Sequence, residues 1–310
     1  MSLDRMIERI AKTQNPTVAG LDPQLDYIPE HILDNNFAKC GKNFQGAAGA
    51  LYQFNCALID ALCDVVPAVK PQAAYYELYG DEGVRALVKT IRYAKEKGMF
   101  VITDGKRNDI GSTMQAYAAA HLGVTDIAGE QTAAFGSDAL TVNGYLGTDG
   151  IEPLIRICDS YDKGIFVLVK TSNPSSGELQ DMVLSTGKTV YHTLGVMCEQ
   201  WGEDLKGQYG YSGVGAVVGA TYPKQLLELR KELKRTFFLV PGYGAQGAGA
   251  KDVLPAFDER GLGAIINSSR AIMCAWKKEE CDPGDYAGAA RREAIRMRDE
   301  IMSKVGEICL

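Results

Sequence analysis

Eight short apolar runs, alternating with helical patterns from one end of the chain to the other, constrain its fold more than any other feature. The runs are Val18–Asp22, Ala68–Lys70, Met99–Asp104, Ala139–Asn143, Ile165–Thr171, Val214–Gly219, Phe237–Pro241 and Ala264–Ser268. Runs of this kind, bounded by turn residues, suit strands buried on both faces, as in parallel sheets. Helical patterns lie between them at Gly49–Val65, Asp81–Lys97, Ser112–Leu122, Lys188–Leu205 and Pro223–Lys234, and Tyr286–Lys304 closes the chain. The alternation predicts an α/β fold: a single (β/α)8 TIM barrel, with residues 1–310 as one barrel domain. A doubly wound open sheet would show the same alternation. The strand ends favour the barrel. Asp22, Lys70, Asp104, Asn143 and Ser172 place polar residues at or just past C-terminal strand ends, where barrel enzymes build their sites.

Two segments interrupt the pattern. Asp26–Gly46 is polar and reads as an irregular insertion after the first strand rather than a second domain. Ser172–Gly187, with Pro174, glycines and several serines, reads as a long loop, either a lid or a solvated excursion. One barrel takes up essentially all 310 residues, so no fused second enzyme is expected.

A hydrophobic share of 46% with 23% charged residues is that of a water-soluble globular protein. The net charge of −6 argues against a nucleic-acid partner, which would call for a basic stripe. No apolar run approaches the ~18 residues of a membrane span, and the acid-bearing, amphipathic N-terminus is no signal peptide. The eight cysteines show no Cys-x-x-Cys pair and no compact framework. They read as free thiols in a reducing, cytoplasmic setting, with Cys56 and Cys63 on a buried helical stripe. His31, His121 and His192 make no metal-ligand pair at helical spacing, so no metal site is expected.

The chemistry concentrates in Asp104-Gly-Lys106-Arg-Asn-Asp109-Ile110-Gly-Ser-Thr113. This stretch follows the apolar run Met99–Thr103. Residues two apart on a strand share a face, so Asp104 and Lys106 can enter one site. Asp109 stands where the chain turns toward a helix. Carboxylates flanking an ammonium hold it as a cation, suited to stabilise a developing carbanion and then protonate it. The same residues also fit a surface salt bridge with Asp109 and Ser112 as helix caps.

A phosphate site is expected after the seventh and eighth strands, in Pro241-Gly242-Tyr-Gly-Ala-Gln246-Gly247 and Asn267-Ser-Ser269-Arg270. Barrels bind phosphate there with backbone N–H groups; glycines allow close approach, and Arg270 offers a fork of donors. Gln246 can close over the anion as a neutral donor. Gly242-x-Gly244-x-x-Gly247 matches a dinucleotide fingerprint, but that motif belongs after the first strand. Gly187-Lys-Thr189 resembles the end of a P-loop, yet Met182 stands where its first glycine is required.

In these motifs the chain resembles orotidine 5′-phosphate decarboxylases of the longer bacterial and protozoan type. The resemblance rests on Gly20-Leu-Asp22-Pro, Val69-Lys70-Pro-Gln, and the Asp-x-Lys-x-x-Asp-Ile-x-x-Thr pattern of Asp104, Lys106, Asp109, Ile110 and Thr113. Pro241-Gly-x-Gly-Ala-Gln-Gly and Ser269-Arg270 complete it. It implies decarboxylation of orotidine 5′-phosphate to UMP, the last step of pyrimidine nucleotide synthesis, without metal or organic cofactor. Lys70, Asp104, Lys106 and Asp109 would form an alternating charged network, with Asp109 supplied by the second subunit of a homodimer that shares its active sites. Ile110 and Thr113 would cross the same interface. Asp22 would hold a ribose hydroxyl, Ser172 the pyrimidine, and Gln246 and Arg270 the phosphate, with Gly242 and Ser269 beside them. Asn143, in Asn143-Gly-Tyr, stands where many relatives carry histidine; it either contacts substrate or forms a turn.

Three other readings fit parts of the chain. Val169-Lys170-Thr-Ser resembles the lysine segment of Schiff-base aldolases, with Lys170 as nucleophile. A metal-dependent sugar-phosphate decarboxylase would share the Asp-x-Lys-x-x-Asp pattern. A non-catalytic nucleotide-binding barrel would leave the charged network unused.

Overall fold

Parallel pairing runs without interruption around the eight expected strands. The computed structural model describes residues 2–244 and 247–310. Its barrel strands are β1 (Thr17–Leu21), β2 (Ala68–Pro71), β3 (Phe100–Arg107), β4 (Ala139–Val142), β5 (Gly164–Lys170), β6 (Val214–Val218), β7 (Phe238–Val240) and β8 (Ala264–Ser268). Each strand pairs with the next, and β8 closes on β1 through Thr17↔Ile266 and Ala19↔Ser268. Closure decides against the doubly wound sheet, which would leave two open edges.

The strands sort their apolar residues to two sides, as a period of two requires. Val18, Ala68, Phe100, Ile102, Phe166, Val217, Leu239 and Ile265 belong to a cluster inside the barrel. Their neighbours Val69 and Val101 pack outward against Phe54, Leu58 and Ile91 of the surrounding helices. The N-terminal helix Ser2–Thr13 joins the interior cluster through Leu3, Met6, Ile7 and Ile10, at the i, i+3, i+4, i+7 spacing of one helical face. All four are essentially fully buried. Burying them is worth at most roughly 6–12 kcal/mol in transfer terms.

The expected helices are present with shifted ends: Phe44–Leu62, Gly80–Glu96, Gly111–His121, Val190–Trp201, Pro223–Glu232 and Tyr286–Val305. A further helix, Thr148–Tyr161, carries Gly150 and Pro153 within it, which interrupt its apolar pattern. The insertion is not irregular. It holds a turn of 3-10 helix, Leu25–Tyr27, and an eleven-residue helix, Glu30–Cys40. That helix buries only Ile32 fully and has no side-chain cap, so little apolar periodicity marks it. Asn43 then starts the next helix, its Oδ1 accepting from Gly46 N at 3.0 Å. Ser172–Gly187 likewise contains a 3-10 turn, Pro174–Ser176, and the one-turn helix Gly177–Gln180. The eight cysteines are free, but Cys56 and Cys63 are only half-buried, Cys63 lying past the last helical residue. Among the described residues no helix is long and apolar enough to cross a membrane.

Candidate active site

The C-terminal strand ends open into a cavity of about 690 Å³, within the size range of small-molecule sites. Asp22 reaches it from the end of β1, Lys70 from β2, Asp104 and Lys106 from β3, and Thr141 from β4. Thr171 and Ser172 enter after β5, Gly242 after β7, and Ser269 and Arg270 after β8.

A row of charges lies at its centre. Lys70 Nζ donates to Asp104 Oδ2 at 2.6 Å, and Lys106 Nζ donates to Asp104 Oδ1 at 2.6 Å. Gln72 Nε2 at 3.0 Å and the Thr141 hydroxyl at 2.8 Å complete the donors to the same carboxylate. The side chains of Lys70 and Asp104 are 5% and 10% exposed, whereas that of Lys106 is 46% exposed and free to meet a ligand. Burial alone would raise the Asp104 pKa; the ammonium groups of Lys70 and then Lys106 outweigh it and hold the carboxyl well below its usual range. Burial pulls Lys70 down, but Asp104 and then Asp22 more than offset this, leaving the ammonium above its ordinary value. A charge network this buried is not a surface salt bridge.

The strand delivers Lys106 by an unusual route. The β3–β4 register shifts between Thr103 and Arg107, and Lys106 sits at φ +49°, a conformation that costs a non-glycine residue about 1–3 kcal/mol. The Lys106 N–H donates to Thr141 Oγ1 at 3.0 Å, so the hydroxyl that bonds Asp104 also secures the strained backbone. Two-residue alternation placed Asp104 and Lys106 together correctly; the bulge sets their geometry.

The far wall suits an anion. Gly242, which lines the cavity, and Gly244 and Gly247 beyond it have φ of +103°, +73° and +92°, values that favour glycine. Arg270 begins the short helix Arg270–Met273, and its exposed guanidinium lines the cavity. At Gly20 a Cβ would meet Ser269 Oγ at 1.9 Å, so glycine lets β1 lie against the loop that carries Arg270. Asp22 Oδ1 and Asn267 Oδ1 are buried without hydrogen-bond partners among the described residues, and both residues line the cavity. Acceptors placed this way can take hydrogen bonds from a bound ligand.

Other expected residues lie elsewhere. Asp109, Ile110 and Thr113 stand outside the cavity, at the exposed start of the helix Gly111–His121. Asp109 does not cap that helix: Ile110 holds the N-cap position with no side-chain acceptor, and Asp109 Oδ1 takes only the N–H of Ile110. Asn143 also stands outside, its Oδ1 accepting from Tyr145 N at 2.9 Å, as the turn reading expects. Gln246 lies outside the described residues. Lys170 is not part of the cavity wall; it is fully buried and bonded to Asp181, an unsuitable place for a Schiff-base nucleophile. Among the described residues no group of three or more His, Cys, Asp or Glu side chains is placed to hold a metal ion. Gln72, Thr141 and Gln180 also line the cavity without a role expected from the sequence, and Asn267, part of the expected phosphate segment, lines it too. Gln72 was in view as the last residue of Lys70-Pro-Gln, and Thr141 could have been found as the polar residue inside an apolar strand.

Residues 50–280 match the orotidine 5′-phosphate decarboxylase / HUMPS family. The chain is 46% identical over 296 residues to the orotidine 5′-phosphate decarboxylase of Rhodopirellula baltica, covering 94% of this chain and 96% of that one. It is 40% identical over 299 residues to the Clostridium novyi enzyme of the same name, covering 96% and 98%. The structure of Leishmania donovani OMP decarboxylase superposes with a TM-score of 0.71 at 29% identity, covering 96% and 99%.

Proposed function

The chain belongs to the orotidine 5′-phosphate decarboxylase / HUMPS family, and we propose that it is a carbon–carbon lyase that converts orotidine 5′-phosphate to UMP and CO2. The observation that carries this reading is Asp104 clamped between two ammonium groups at 2.6 Å, in a cavity whose other end presents Arg270. Arg270 and the glycine loop take the phosphate, with Ser269 beside them. Asp22 and Asn267 receive ribose hydroxyls. Ser172 meets the pyrimidine, and C6 with its carboxylate lies against Asp104 and Lys106.

The chemistry follows from that placement. The bond between C6 and the carboxylate breaks, CO2 leaves, and the electron pair stays on C6. The Lys106 ammonium stabilises the charge where it develops and passes one proton to C6, giving UMP. Lys70 keeps Asp104 ionised, and Asp104 crowds the departing carboxylate. The protein's own residues supply each step, so neither metal nor organic cofactor is required. Binding energy from the phosphate closes the site, so substrates lacking it lose turnover as well as affinity.

Asp109, with Ile110 and Thr113, serves the site of a second subunit. Ile110 is 51% exposed, Tyr145 76% and Leu146 45%, and the Asp109 carbonyl and Leu146 approach the same face of Gly150. An exposed apolar patch beside an acid that has no role in its own chain's cavity suits a homodimer with shared sites. We read residues 1–310 as one barrel domain working in the cytoplasm on a small nucleotide. Loss of the orotate chromophore on mixing purified protein with orotidine 5′-phosphate tests the proposal. No change in absorbance, with correctly folded protein, would overturn it.

A further inference from the structure

Lys170 is a fully buried charged group that the proposed chemistry leaves unused. The geometry points to a positioning role: Lys170 is the buried cation around which the segment Thr171–Asp181 is wound, holding the cavity wall that faces the pyrimidine. This inference rests on the functional reading above for the identity of the ligand.

A register shift between Leu168 and Lys170, on the β5–β6 ladder, turns the lysine out of the barrel. Leu168 lines the cavity and Lys170 does not. Its ammonium, with no exposed side-chain surface, donates to Asp181 Oδ1 at 2.7 Å and to Ser176 Oγ at 3.3 Å. It also lies 4.4 Å from the ring centre of Tyr222, a cation–π contact made in a desolvated setting. Ser176 Oγ donates in turn to the Tyr222 hydroxyl, which donates to the Asn173 carbonyl. Gln180 closes the ring, its Oε1 accepting from Thr171 N and its Nε2 donating to Thr171 Oγ1. Directly through Ser176 and Asp181, and through Tyr222 to Asn173, the lysine is tied to the segment that carries Ser172, Asn173 and Gln180 into the cavity.

An ion pair buried at one end and open at the other suits this task. Asp181 is 45% exposed, so solvent weakens the pair as a source of stability. It can still fix one arrangement, because a buried ammonium left without its carboxylate is costly. Lys170 thus acts through Ser172 and Gln180 rather than on the reacting atoms.

The test uses full-length wild type, Lys170→Met and Asp181→Asn. Binding of UMP and of ribose 5-phosphate is titrated, and amide exchange of residues 172–181 is followed without ligand. UMP affinity is expected to fall about tenfold in Lys170→Met, from the cost of ordering two released side chains on binding. A smaller fall is expected in Asp181→Asn. Ribose 5-phosphate affinity stays within about twofold, and exchange in 172–181 accelerates while the barrel strands keep their protection. Unchanged UMP affinity in both variants, or an equal fall for both ligands, would overturn the positioning role. Should Lys170→Met fail to fold, Asp181→Asn, altered at the exposed end of the pair, decides the matter. A wild type that neither binds UMP nor consumes orotidine 5′-phosphate refutes the functional reading and the base-side role with it. The exchange measurement then still decides whether Lys170 holds the segment, since unaltered exchange in both variants refutes that alone.

Discussion

Asp104→Asn isolates the charge at the centre of the site with almost no change of shape. Asp104 accepts from Lys70, Lys106, Gln72 and Thr141. Asparagine keeps one acceptor but leaves the Lys70 ammonium, 5% exposed, without its carboxylate. Removing one partner of a buried pair costs about 3–5 kcal/mol. Asp22 still attracts Lys70, and Lys106 can turn to solvent, so a destabilisation of about 2–4 kcal/mol is expected. The pH dependence has a definite sign. Asp104 is held below its unfolded value, so its contribution is present above about pH 4 and is lost as pH falls further. Lys70 is held above its unfolded value, so its contribution is present below about pH 10 and is lost only at higher pH. The gap between wild type and Asp104→Asn should therefore be constant from about pH 5 to 9 and narrow below about pH 4. Urea unfolding at fixed protein concentration, at neutral pH and near pH 3.5, measures it. A gap under about 0.5 kcal/mol at neutral pH, or one that persists unchanged in acid, would refute the electrostatic account. The paired replacement Lys70→Met with Asp104→Leu should recover at least half of the loss, because it leaves no buried ammonium at position 70.

Three further outcomes follow from the site. Lys106→Ala should remove nearly all turnover while the far-ultraviolet spectrum is retained; Arg270→Ala should act mainly by raising KM, and equal loss of kcat in the two variants would contradict the division of roles. Refolding a mixture of Asp109→Ala and Lys106→Ala chains should restore about a quarter of wild-type sites, since half the dimers are mixed and one of their two sites is intact; no recovery with mixed dimers present would return Asp109 to its own chain. Activity should survive exhaustive chelation, because Lys106 supplies both the charge and the proton that the proposed reaction needs; loss that Mg²⁺ reverses would favour metal-dependent chemistry.

The architecture and most of the central site were legible in the chain because local pattern encodes them. Strands buried on both faces read as apolar runs, and their polar last residues mark the end of the barrel where a site can form. Asp22, Lys70, Asp104 and Ser172 emerged this way, Lys106 from its spacing to Asp104 and Arg270 from the segment after the eighth strand, and all six line one cavity, whereas Asn143, read from a strand end as well, does not. The fold around the insertion was less legible, since Glu30–Cys40 buries one side chain fully and leaves little periodic trace.

Tertiary structure decided what depends on residues distant in sequence. Lys70 and Asp104 are 34 positions apart, and Thr141 a further 37; only the lateral pairing of β2, β3 and β4 sets them at bonding distance. Alternation also cannot report where a strand shifts register. One shift places Lys106 at a positive φ beside Asp104, and another turns Lys170 out of the cavity although Leu168, two residues earlier, lines it. A bulge depends on the neighbouring strand, so no periodicity within a single strand can report it. The sequence by itself therefore determined which strand ends carry polar residues. The three-dimensional packing determined which of those side chains face the ligand, because facing is a relation between strands and not a property of one.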